Sequence, residues 1–185
     1  MPPIVDIDGW KIGVMTCYDV RFPETARSLA VRGADAIVVS AAWVRGPLKE
    51  QHWKLLTAAR ALENTCYVLA CSEVSSRNIG CCRIIDPMGE VVAEAGDEGA
   101  ELIATGLSRE CLASARQIMP VLQNRRFADP QLPDESFRAR CRRFDGILLS
   151  NITCRIIDAI SGHRKSVIDV AGSDAYHGTH DCYCS

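Results

Sequence analysis

A chain of 185 residues, 48% hydrophobic and 24% charged, has the length and composition of one globular domain with a buried core, which excludes disorder and fibrous repeats. Its 21 basic and 23 acidic side chains leave a net charge of −2, so the overall balance draws it to neither nucleic acid nor an anionic membrane. No apolar run approaches the roughly 18 residues of a membrane span, and the opening MPPIVDIDGWK lacks the basic and apolar regions of a secretory signal; the chain reads as soluble and cytoplasmic.

Taken in order, Trp10 to Thr16 (WKIGVMT) reads as a strand followed by a turn at Cys17 and Tyr18. Pro23 suits the first turn of a helix, where its missing N–H costs nothing; Ala26, Leu29 and Ala30 give that helix an apolar face, and Gly33 is placed to end it. Ala36 to Ala41 (AIVVSA) is apolar throughout and reads as a strand covered on both faces. Pro47 then opens a helix whose Leu48, His52, Leu55, Ala59 and Leu62 recur at steps of three and four, predicting that this stripe lies against the core. In it His52 reads as a satisfied core histidine, with Lys49 and Glu50 in the exposed first turn.

Cys66 to Cys71 (CYVLAC) is a third buried strand. Arg83 to Ile85 and Val91 to Ala93 flank Asp86-Pro87-Met88-Gly89 and predict a β-hairpin. Glu101 to Thr105 reads as a last strand, with Ser108 capping a helix that runs to about Ile118. Residues 134–185 differ in kind, holding four of the ten cysteines and three of the four histidines without a sustained period, and read as a tail.

Ten cysteines without an export signal or paired CxxC knuckles argue against a disulfide framework and against a zinc ribbon; most read as small buried hydrophobes. In the tail, His177, His180, Cys182 and Cys184 (HGTHDCYC) offer four ligands that a zinc-binding regulator would use. Their spacing is tighter than the usual knuckle, so the reading is an unstructured end, with no metal and no cofactor.

The strongest chemical signal is TCYDVRFPE, residues 16–24. A strand ends, a cysteine sits on the tight turn, and a helix begins shortly after. A nucleophile on such an elbow is lifted out of the sheet, and a following backbone N–H can face the reacting carbonyl. Nearby amides and Arg21 favour thiolate over thiol. Position alone favours a buried cysteine at Cys17, an Arg21 ion pair with Asp19 or Glu24, a core Trp43 and a solvated loop Arg45.

The segment GVMTCYDVRFPE resembles the nucleophile motif of the carbon–nitrogen hydrolase (nitrilase) superfamily. AAWVRGPLKEQHW (41–53), AARALENTCYV (58–68), NIGCCRIIDPMGEVVAE (78–94) and PVLQNRRF (120–127) follow in the family's order, and the whole is most similar to bacterial deaminated glutathione amidases, with ω-amidases next. The resemblance implies an α/β fold, part of an α-β-β-α four-layer sandwich, over residues 1–133. It implies a Glu-Lys-Cys catalytic set, no cofactor, a small-molecule amide substrate and association as a homodimer. By motif match Cys17 is the nucleophile, the Tyr18 backbone N–H the oxyanion donor, and Arg21 the holder of a substrate carboxylate through two parallel hydrogen bonds. Trp43 lines the same pocket, and Arg45 reaches a second carboxylate.

In the family, the glutamate and the lysine both precede the nucleophile. Here sixteen residues precede Cys17, with Lys11 as their one lysine and no glutamate. Lys11 does not match the family lysine's motif, and Cys82 stands where relatives often carry a small hydroxyl residue. Two expectations follow: a truncated amidase acting through a cysteine thioester, or a catalytically inactive remnant that acts through association with an intact subunit.

Overall fold

The computed structural model describes residues 1–96, 99 and 101–128. Six strands form one sheet in the order β1-β2-β3-β4-β5-β6: β1 Ile4–Ile7, β2 Trp10–Thr16, β3 Ala36–Ala41, β4 Tyr67–Ser72, β5 Arg83–Ile85 and β6 Val91–Glu94. The centre is parallel, with Thr16 opposite Ser40 and Ala41 opposite Ser72, and an antiparallel hairpin closes each side.

Parallel neighbours need crossovers, and two helices supply them. Pro23–Val31 (α1) joins β2 to β3, and Lys49–Asn64 (α2) joins β3 to β4. Both pack on one face, where Ile37, Val39 and Ala41 of β3 meet Leu29 of α1 and Trp53 and Ala61 of α2. The alternate residues Ala36 and Val38 turn to the other face, with Leu69, Cys71, Ile84 and Leu112. Leu112 belongs to α3, Arg109–Ile118, whose N-terminus is held by Ser108 Oγ accepting the Cys111 N–H at 3.1 Å. β3 and β4 are therefore buried on both faces, which is why they read as unbroken apolar runs.

The expected strands 10–16, 36–41 and 83–85, the helix from Pro23 and the helix capped by Ser108 are all present. Four readings change. β1 was not anticipated, although Asp8-Gly9 between two apolar runs is a hairpin signal; both residues take positive φ, 49° and 78°. Residues 101–105 form no strand, and Ile103 alone makes a bridge. α2 starts at Lys49, because Leu48 before it has a left-handed backbone (φ 61°) and sits outside the helix.

The stripe on α2 is also reversed. Leu48, Leu55 and Leu62 are exposed, whereas Trp53, Thr57, Arg60, Ala61 and Asn64 are buried. The polar members of that inner face are tolerated because each satisfies a carbonyl. Thr57 Oγ1 donates to Trp53 O at 2.8 Å, Arg60 Nε to Val20 O at 2.9 Å, and Asn64 Nδ2 to Arg60 O at 2.9 Å. Half-buried His52 does not fill the core, and its Nδ1 finds no partner among the described residues.

Candidate active site

β2 ends at Thr16, and the chain turns through a short 3₁₀ segment, Cys17–Arg21, before α1 begins. Cys17 has φ 45°, a left-handed backbone that a residue with a Cβ adopts only where its surroundings hold it there. Two bonds do so. Asp19 Oδ2 accepts the Thr16 N–H at 2.9 Å, and Val20, fully buried, has its carbonyl held by Arg60 of α2. The thiol is half-buried and packs against the α1–α2 side of the core. Tyr18 is the second residue of the turn, so its N–H has no acceptor within the turn itself.

Arg21 lies over two aromatic rings. Its guanidinium carbon is 4.8 Å from the Trp43 ring centroid and 5.4 Å from that of Tyr18. Stacking of this kind attracts the cation through the ring faces and leaves the in-plane N–H donors directed to the side, where a planar anion can take two of them.

Trp43 is fixed from three directions. Its backbone N–H reaches Ser72 Oγ at 3.2 Å, its indole Nε1 donates to Lys49 O at 2.8 Å, and its ring lies 5.3 Å from that of Trp53. A platform held this way positions the guanidinium above it.

Cys17, Tyr18, Arg21, Ala42, Trp43, Val44 and Lys49 together line an open cleft whose empty space, adjoining solvent included, is about 300 Å³. Four of the five residues expected at the site thus converge. Arg45 does not join them. Its side chain is exposed and its Nε donates to Ser75 O at 3.3 Å, because the backbone bridge of Val44 with Asn78 turns the next residue away. Lys49, expected as an exposed first-turn residue, instead lines the cleft. The sequence signal was its position at the helix start directly after the Trp43 loop. Glu50 is exposed and pairs with Lys54 at 2.7 Å. Among the described residues no cluster of three or more metal-ligating side chains occurs, and HGTHDCYC lies outside them. No described helix is long and apolar enough to cross a membrane.

The seven residues can therefore supply a strained, partly accessible sulfur, a backbone donor beside it, and two cations for an anionic ligand. No carboxylate or imidazole is among the seven.

The sequence profile described as Carbon-nitrogen hydrolase matches residues 1–117. Over 130 residues the chain is 52% identical to the deaminated glutathione amidase of Escherichia coli O157:H7, covering 70% of this chain and 49% of that one. It is equally similar, at 52%, to the YbeM protein of Escherichia coli K12, covering 70% and 69%. Among solved structures, Saccharomyces cerevisiae Nit3, described as a member of branch 10 of the nitrilase superfamily, superposes with a TM-score of 0.62 at 38% identity, covering 69% of this chain and 48% of that one. The chain spans about half the length of the deaminated glutathione amidase and of Nit3. The fold class expected from the motifs, α/β with the α-β-β-α sandwich of the nitrilase superfamily, is the one its structural neighbours carry.

Proposed function

The chain belongs to the carbon–nitrogen hydrolase family, and we propose that its Cys17 cleft serves hydrolysis of the C–N bond in a small primary amide that also bears a carboxylate. Deaminated glutathione, or the ω-amide of a keto acid, is the substrate we propose, and a homodimer the assembly. The observation that carries this reading is the Arg21 guanidinium, stacked on Trp43 and Tyr18 in the same cleft as the Cys17 sulfur, with no carboxylate among the residues that line it. A carboxylate docked there carries its amide end toward Cys17. The relatives' names agree in kind: a deaminated glutathione amidase and a yeast omega-amidase, Nit3.

In this reading the Cys17 sulfur attacks the amide carbon, and the Tyr18 N–H stabilises the oxygen that gains negative charge. The C–N bond then breaks, ammonia leaves, and a thioester remains. Water attacks the thioester, releasing the acid and restoring the thiol. The remaining requirement is a proton acceptor for Cys17, a contribution of about 10²–10⁴ in rate.

The absence of a carboxylate or imidazole among the seven cleft residues favours a second reading: a chain that binds the substrate but turns it over only in association with an intact subunit.

Purified protein given deaminated glutathione, with ammonia as the readout, separates the two. Ammonia release that Cys17→Ala abolishes supports hydrolysis. Shielding of Cys17 from iodoacetamide by the substrate without ammonia supports the second reading. In either case Arg21→Met is expected to weaken the shielding by about tenfold or more, the worth of a charge-assisted hydrogen bond. Unchanged shielding in that variant would remove Arg21 from the binding role.

A further inference from the structure

On the face of the sheet away from the Cys17 cleft, two other thiols meet. Cys71 lies near the end of β4, and Cys82 immediately precedes β5. Ala70 is opposite Arg83 in the antiparallel register, so the next residues outward, Cys71 and Cys82, face each other. Their sulfurs are 3.5 Å apart, and both side chains are buried, at 1% and 2% exposure, among Leu69, Ile84 and Leu112. Directly opposed residues in an antiparallel pair have Cα atoms about 4.5–5.5 Å apart, inside the span of about 4.4–6.8 Å that a disulfide bridges. Closure then needs an approach of about 1.5 Å between the sulfurs, within the reach of side-chain rotation.

We propose that Cys71 and Cys82 are an oxidisable dithiol that closes to a cross-strand disulfide under hydrogen peroxide and reopens on reduction. The two sulfurs have different tasks. The hydrogen bond between the two thiols holds Cys82 below the ordinary thiol range, while the same bond and burial raise Cys71. Cys82 is thus the attacking sulfur and Cys71 the resolving one. Cys81, its neighbour in sequence, packs on the opposite face with Cys66 and does not compete.

The Cys82 thiolate attacks one peroxide oxygen, the O–O bond breaks, and the departing hydroxide takes a proton to become water. The Cys71 sulfur then attacks the sulfenic acid sulfur. The S–O bond breaks, the S–S bond forms, and the Cys71 proton leaves with the second water. Two thiols and one peroxide give one disulfide and two waters, the sulfurs losing two electrons in all. Burial selects the oxidant: peroxide is little larger than water, whereas a bulky aromatic disulfide reagent cannot reach sulfurs this enclosed. The bridge would close the loop that starts with Ser72, whose Oγ holds the Trp43 backbone.

The test treats the purified chain with hydrogen peroxide, alkylates the remaining thiols and maps tryptic peptides without reduction. Arg77 lies between the two cysteines, so trypsin separates them and only a disulfide rejoins them. The expected result is a Cys71–Cys82 linked peptide that dithiothreitol removes and that neither Cys82→Ser nor Cys71→Ala forms, with a higher melting temperature for the oxidised wild-type chain alone. Recovery of both residues as thiols while Cys17 in the same sample is oxidised would overturn the proposal. Cys82 found as a sulfinic acid, or linked to another cysteine, would overturn it too. Should either variant fail to fold, the mapped linkage in the wild-type chain and its reversal decide the question.

Discussion

Arg60 Nε donates a 2.9 Å hydrogen bond to the carbonyl of Val20, so a side chain from the inner face of α2 holds the turn that begins at Cys17. The other side of the guanidinium pairs with Glu63 one turn along the same helix. Arg60 is 5% exposed and Val20 fully buried, so water cannot replace the bond between them, whereas Glu63 is partly exposed. The left-handed backbone at Cys17 is maintained from behind by a residue that does not touch the cleft.

Replacing that residue tests the arrangement. Arg60→Met keeps most of the apolar stem but leaves the Val20 carbonyl buried without a partner and Glu63 without its cation. The expected cost is about 2–3 kcal/mol, read as a lower urea midpoint. The alkylation rate of Cys17 should change in the same variant, since its turn is no longer pinned. A midpoint within experimental error of the parent would show that the bond contributes nothing.

Close packing between β2 and α1 gives a second test. A Cβ built on Gly13 would lie 2.9 Å from Leu29 Cδ1 and 3.2 Å from Leu29 Cβ, and Leu29 is fully buried with no space to retreat. Gly13→Ala should therefore destabilise by about 1–3 kcal/mol through overpacking, and Leu29→Ala by about 3 kcal/mol through the cavity it leaves. Combined, the added methyl occupies part of the vacated volume, so the double variant should lose less than the sum of the two. Strict additivity in chemical denaturation would contradict the contact.

Cys66 predicts the alkaline limb of stability. Full burial pushes its thiol up to about 12 from an ordinary value of 9.0. The folded chain then keeps this proton over a range in which the unfolded chain releases it. Stability from this group is complete below pH 9 and falls as pH rises from there toward 12, because the unfolded state binds fewer protons. At pH 10 the loss is on the order of 1 kcal/mol relative to pH 8. Cys66→Ala should flatten that part of the urea-midpoint profile; an unchanged slope would assign the alkaline loss to other groups.

The strand, turn and helix around Cys17 were legible because each rests on local chemistry: β-branched alternation in WKIGVMT, a proline suited to a helix start, a glycine after its end. α2 was not legible in orientation. Its leucines recur at helical spacing, yet Leu48, Leu55 and Leu62 face outward while Arg60 and Asn64 go in. The deciding bonds, to Val20 O across 40 residues and to Arg60 O, are invisible to a count of apolar positions. At the cleft, Cys17, Tyr18, Arg21 and Trp43, expected from motif position, lie together with Lys49, while Arg45 is outside the lining. Nothing in the order of residues 45–49 says which cation the Val44–Asn78 bridge turns aside. β1 was missed although Asp8-Gly9 announces a hairpin, and Glu101 to Thr105 has strand-like composition without a strand beside it to pair along its length.

The strand order has a consequence for how the chain comes to be folded. Each strand lies next to the one before it in sequence, so no strand must be threaded between two that are already paired. During synthesis every new strand meets a waiting edge made of residues already released, and short-range closures of this kind proceed quickly compared with pairings between distant segments. Among the described strands, pairing can therefore proceed in chain order, each strand from β2 to β6 adding beside the one before it.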